Sequence, residues 1–146
     1  MSATKGNNSI KKVLPAVLQS SDYVKRLYSK PIYGAKDGIR SLNFADQIWW
    51  KECGGVVLYP YRLLPPVFTD LPSEVIDALE ADDGLEIAQG GAAMTAYARL
   101  QFEDIAPQKR CAIEAALLRY CELDTLAMVM IYEAWTSWCE CSVQPM

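Results

Sequence analysis

Asp104-Ile105-Ala106-Pro107 opens a helical pattern, Arg119-Tyr120-Cys121-Glu122-Leu123-Asp124-Thr125 continues it, and it runs to about Glu140. A capping residue followed by proline near the first helical position is a start signal. The periodicity predicts helix over 105–140, as one bent helix or two in succession. Tyr120 and Asp124 are four residues apart, so they share one face, one turn from each other. The rest of that face reads as apolar: Ile113, Ala116, Leu117, Ala127, Ile131 and Trp135. A carboxylate in such a stripe loses solvation and needs a metal ion, a hydrogen-bond donor or a solvent-filled cleft. Asp124 is therefore the residue to explain. The plain alternative is an idle, wet aspartate at the edge of the stripe, with Tyr120 filling core space.

Working outward from this segment, a helix is expected from about Ile87 to Phe102, weakened at its start by Gly90-Gly91. A shorter helix is expected from Pro72 through Leu79, ended by Asp82-Asp83-Gly84. Residues 31–71 are irregular, punctuated by Gly34, Gly38, Gly54, Gly55, Pro60, Pro65 and Pro66, with Val56-Val57-Leu58-Tyr59 as a short strand. Nearer the N-terminus, Ser9 caps a helix through Ile10, Val13, Leu14 and Val17, bent or ended at Pro15. Ser21 or Asp22 caps a further turn or two that Lys30-Pro31 closes. Residues 1–8 are expected to fray. The expected class is mostly α with few or no strands, in a single domain of 146 residues.

Composition narrows the chemistry. Hydrophobic residues make up 51% and charged residues 22%, a globular balance. The net charge is −4, so binding to nucleic acid would need a local basic patch or bound cations. There is no histidine, which removes histidine-based triads and histidine-containing zinc sites. The cysteines are Cys53, Cys111, Cys121, Cys139 and Cys141, an odd number that fits reduced thiols and a cytoplasmic location. Cys139-Glu140-Cys141 lacks the second pair that a zinc site would need. No stretch is apolar enough to span a membrane, and Met1 to Ser9 does not read as a targeting peptide.

Two blocks resemble a family of uncharacterised bacterial domains. Ser9-Ile10-Lys11-Lys12-Val13-Leu14-Pro15-Ala16 is similar to a Ser-(Leu/Ile)-Lys-x-Val block of that family. The segment from Ala115 to Met128, containing Leu117-Leu118-Arg119-Tyr120-Cys121-Glu122-Leu123-Asp124-Thr125-Leu126-Ala127, resembles its closing motif. Asp83-Gly84 with Ala92, Ala93, Tyr97 and Leu100 is similar to the stretch between them. The family looks like a branch of the DEDD 3′–5′ exonucleases of the ribonuclease H-like α/β fold, often fused to RecB-like or Cas4-like nucleases. Its tyrosine-type closing motif reads Tyr-x-x-x-Asp. The resemblance therefore implies that Asp124 is a ligand of Mg²⁺ or Mn²⁺ and that Tyr120 orients the attacking water. Metal-bound water is hydroxide-like near neutral pH, and hard carboxylate oxygens suit these cations.

The departures from the family matter as much. No Asp-x-Glu occurs anywhere in the sequence, and the Ser-Ile-Lys-Lys-Val block already begins at residue 9. The chain thus looks like the C-terminal helical portion of such a domain, inactive alone: a fragment of a longer domain, a degenerate piece that only binds a partner, or a piece that completes a catalytic centre in another chain. Self-association or a partner subunit would then cover faces that once packed on a sheet. Trp49, Trp50, Trp135 and Trp138 are candidates for those contacts, each with core packing as the plain alternative. Lys11 and Lys12, with Tyr23, Tyr28 and Tyr33 nearby in sequence, are candidate nucleic-acid contacts, or an ordinary solvated helix face. The competing functional class is a small helical interaction module in which the Tyr120–Asp124 pair is structural.

Overall fold

A computed structural model describes residues 9–64, 93–94 and 97–142. They fall into two compact units. One is built from the residues up to Leu63 together with those from Glu122 onward, and the other from the described part of Leu64–Cys121. The expected helix over Pro72–Leu79, the turn at Asp82-Asp83-Gly84 and the start of the helix expected at Ile87 lie outside the described residues. The class is mostly helical with two short strands.

In the first unit, α1 spans Ile10–Ser20 and α2 spans Asp22–Tyr28. Helix α1 continues through Pro15 where a bend or stop was expected. Proline at this position removes one backbone donor, yet Leu14, Val17 and Leu18 on the buried face stay in phase across it. Ser9 occupies the N-cap position, but its side chain makes no capping bond; its carbonyl accepts from the N–H groups of Lys12 and Val13. Ser21 caps α2, its Oγ accepting from the Val24 N–H at 3.3 Å.

After α2 the chain turns into a bridged loop. Tyr33 pairs with Ile39 and with Gln47, and the backbone N–H groups of Trp49 and Trp50 both donate to the Tyr28 carbonyl. Gly34 adopts φ +78°, and a Cβ there would run into the Phe44 carbonyl, so the loop closes only over glycine. Phe44, Tyr33 and Trp49 form an aromatic cluster with centroids 4.8 to 6.0 Å apart, Trp49 edge-on to the other two rings.

Strand β1 (Lys51–Cys53) pairs antiparallel with β2 (Val56–Leu58) across Gly54-Gly55, both at positive φ. The expected strand at Val56 is present. Its partner was missed because Lys51-Glu52-Cys53 carries no apolar alternation; the Gly-Gly pair was the legible hairpin signal. A short helix, α3 (Pro60–Leu63), follows.

Helix α4 is one continuous element of 36 residues, Pro107–Ser142, about 54 Å long. It starts at Pro107 with the Ala106 carbonyl accepting from the Arg110 N–H, so Asp104 lies one turn upstream of the first helical residue and does not cap it. Within the first unit the helix buries Leu123, Leu126, Ala127, Met130, Ile131 and Ala134, and α1, α2 and the loop contribute Leu14, Leu18, Val24, Tyr28 and Trp49. Trp135, assigned from periodicity to the inward face, is exposed instead; it sits 100° round the helix from the buried Ala134. In the second unit, residues 97–102 are helical, and Leu100 and Ile113 are buried with Ile105 and Leu117 against them.

Candidate functional site

Asp124 is half-buried and hydrogen-bonded. The Tyr61 hydroxyl, presented by α3, donates to its Oδ1 at 2.5 Å. Tyr61 is itself buried, and the Lys11 ammonium from α1 lies over its ring, 5.3 Å from the centroid. Three elements far apart in sequence thus meet in the order Lys11, Tyr61, Asp124. Tyr61 had no part in the sequence reading, because nothing in Pro60-Tyr61-Arg62-Leu63 shows that α3 faces α4.

Tyr120 lies one turn before Asp124 on the same helix and is buried. Lys12 is half-buried on α1. Both lysines are thus partly exposed, and Lys11 covers an aromatic ring.

Two residues before Asp124, Glu122 is the most heavily bonded carboxylate among the described residues. Its Oε1 accepts from the hydroxyls of Tyr33, at 2.7 Å, and Ser41, at 2.5 Å, and its Oε2 accepts from the Asn43 side-chain amide at 2.5 Å. The Ser41 Oγ also accepts from the backbone N–H groups of Asn43 and Phe44, so the loop folds around the carboxylate it serves. Burial alone would raise the Glu122 pKa, but the bonds from Ser41, Tyr33 and Asn43 outweigh it and hold the carboxyl below its ordinary range. Tyr33 moves the other way: burial, then the bond to Glu122 and the charge of Glu122, push its phenol well above the usual value. Further along α4, Glu133 accepts from Tyr28 at 2.8 Å, and burial together with that bond raises the Tyr28 phenol likewise.

One rule organises these contacts. Each of the three inward-leaning carboxylates of α4 is satisfied by a hydroxyl carried on the N-terminal segment. Hydroxyl-to-carboxylate bonds of this kind are charge-assisted and short. They give the helix polar anchors at positions 122, 124 and 133.

Among the described residues, no group of three or more cysteine, aspartate or glutamate side chains comes together as a metal site. Asp124 supplies a single carboxylate, whose Oδ1 already accepts from a phenol, and one carboxylate does not fit a pair of divalent cations. The described cysteines Cys53, Cys111, Cys121 and Cys139 are exposed and form no disulfide. No helix among the described residues is long and apolar enough to cross a membrane.

A second feature lies on the opposite side of α4. Met128, Val129, Tyr132, Trp135 and Trp138 are exposed along it, and an open cleft of about 650 Å³ runs beside them, bordered by Tyr23, Arg26, Tyr132, Trp138 and Glu140. No protein-family model matches the chain, and neither a curated protein nor a solved structure does.

Proposed function

We propose that this chain is the C-terminal helical portion of a DEDD-type 3′–5′ exonuclease-like domain of the ribonuclease H-like class, and that it does not hydrolyse phosphodiesters by itself. The observation that supports this reading is the Lys11–Tyr61–Asp124 relay. It brings into one neighbourhood the two sequence blocks that carry the family resemblance, although they lie near opposite ends of the chain.

In this reading Asp124 is the metal ligand that the chain contributes, and Tyr120, one turn earlier, orients the attacking water. Tyr61 holds the Asp124 carboxylate while no cation does. The remaining acidic ligands lie outside these 146 residues, because the sequence has no Asp-x-Glu and one carboxylate cannot clamp two Mg²⁺ or Mn²⁺ ions. Lys11 and Lys12 are then the contacts closest to the nucleic-acid backbone.

The test pairs a binding measurement with an activity measurement. Mn²⁺-induced relaxation of NMR signals should be centred on Asp124, vanish in Asp124→Asn and strengthen in Tyr61→Phe. Single-stranded DNA and RNA 3′ ends should stay intact with either protein. Relaxation that ignores Asp124 sinks the reading, and hydrolysis that disappears in Asp124→Asn would mean the chain holds a complete centre.

A second reading is favoured by the exposed aromatic side of α4: a helical interaction module without catalysis, in which Tyr61–Asp124 is a structural bond. Soluble chains rarely leave several large aromatic side chains together on one helix face without a binding role.

A further inference from the structure

The cleft of about 650 Å³ lies within the first unit, between the corner where α1 passes into α2 and the last turns of α4. Its volume falls among those of small-molecule sites, ~300–1,000 Å³. Tyr23, Tyr132 and Trp138 line it and stay 47%, 69% and 39% exposed, so folding of the chain does not bury these rings.

The hydroxyls around the cleft have their protons committed to their own helices. Ser20 donates to the Ala16 carbonyl at 2.8 Å, Thr136 to the Tyr132 carbonyl at 3.0 Å and Ser137 to the Ala134 carbonyl at 2.8 Å. What these groups offer an occupant is lone pairs. Glu133 and Glu140 add acceptors and no donor. Glu133 Oε2 is taken by the Tyr28 hydroxyl, and its Oε1 has no bond among the described residues.

Charge is uneven between the two walls. On α2, Asp22 is bridged by Lys25 at 3.4 Å, and Arg26 follows one turn on, so that wall is compensated. On α4, no lysine or arginine follows Arg119, so neither glutamate has a basic neighbour on its own helix. Glu140 also sits in the last turn, where backbone carbonyls concentrate partial negative charge and a cation is the stabilising group.

We propose that this cleft binds a linear aliphatic polyamine, its ammonium groups held by Glu133 and Glu140 and its methylene runs lying against Tyr23, Tyr132 and Trp138. An ammonium has three donors and no acceptor, the complement of a lining that mostly accepts. Aromatic rings attract a cation and cover the aliphatic stem that carries it. The two glutamates are seven residues apart on α4, about 10 Å along its axis, so two charges joined by an aliphatic run reach both where a compact cation reaches one. Arg26 repels ammonium from the α2 wall and so places it on the α4 wall. The site contains neither Tyr120 nor Asp124, so it stands or falls apart from the metal reading.

The experiment is isothermal titration calorimetry of the full chain with spermidine, with Mg²⁺ at matched ionic strength as the control cation. Spermidine should bind at one site per chain, and Mg²⁺ should not displace it. Glu140→Gln and Tyr132→Ala, both at exposed positions, should keep the helical circular dichroism. Each should weaken binding by about three- to fivefold, and the two together by roughly tenfold. Arg26→Gln should tighten it. Glu52→Gln, which removes an exposed carboxylate outside the cleft, should leave it unchanged. No heat with spermidine, or equal losses in Glu52→Gln and Glu140→Gln, overturns the site, the latter by showing attraction to surface charge alone. A lysine-rich peptide that binds more tightly than spermidine and is lost in the same variants would overturn the small-molecule assignment in favour of a peptide partner.

Discussion

The Tyr61 hydroxyl donates to Asp124 Oδ1 at 2.5 Å, so the carboxylate that dominates any reading of the long helix is already bonded to a phenol within its own unit. A desolvated carboxylate needs a partner, and here the nearest one is a donor from α3. The bond anchors the four-residue helix α3, too short to hold itself in place by its own backbone bonds.

Removing that hydroxyl should cost stability without disturbing helix content. Tyr61→Phe is expected to lower the unfolding free energy by about 1–2 kcal/mol, as for a partly exposed bond to a charged group. Urea denaturation followed by circular dichroism reads it directly. An unchanged midpoint would show that the bond contributes nothing net.

Glu122 should make the fold acid-sensitive. Its carboxyl is held below the ordinary range in the folded state, so the unfolded state binds the proton more readily. The stabilisation is therefore fully present above the ordinary glutamate value of about 4.3 and is lost as pH falls through the lower folded value. Glu122→Gln should melt at a lower temperature than wild type at neutral pH, with the gap closing below about pH 4. Parallel melting curves across the whole range would contradict this.

Gly34 is a backbone requirement. At φ +78° and against the Phe44 carbonyl, an added methyl forces the loop open and loosens the Tyr33, Ser41 and Asn43 bonds to Glu122. Gly34→Ala should destabilise by about 1–3 kcal/mol. Hydrogen exchange should rise first at Ile39 and Gln47, whose N–H groups close the loop.

Leu123 and Met130 are fully buried on the inward row of α4. Truncation of either to alanine should cost about 2–5 kcal/mol, against less than about 0.5 kcal/mol for Met128→Ala. Chemical denaturation of the three variants makes the comparison. Equal losses at Met128 and Met130 would show that the inward row is misassigned.

The sequence alone determined α1, α2 and α4, because their signals are local. Ser21 capping α2, proline opening α4 and the apolar repeat from Ile113 onward each act within a turn or two of themselves. It also singled out Asp124 as a carboxylate needing a partner. Which partner it has was decided by tertiary structure, since the choice among a cation, water and a phenol depends on α3 and α4 coming together across the intervening chain. The same holds for Glu122, whose three donors lie on a loop with no periodic signal, and for Trp135. Its position on the outward side was settled by which neighbouring row of α4 the N-terminal segment covers. With apolar residues on two sides of one helix, periodicity cannot say which side is buried. Only packing against Leu14, Val24, Tyr28 and Trp49 makes that choice.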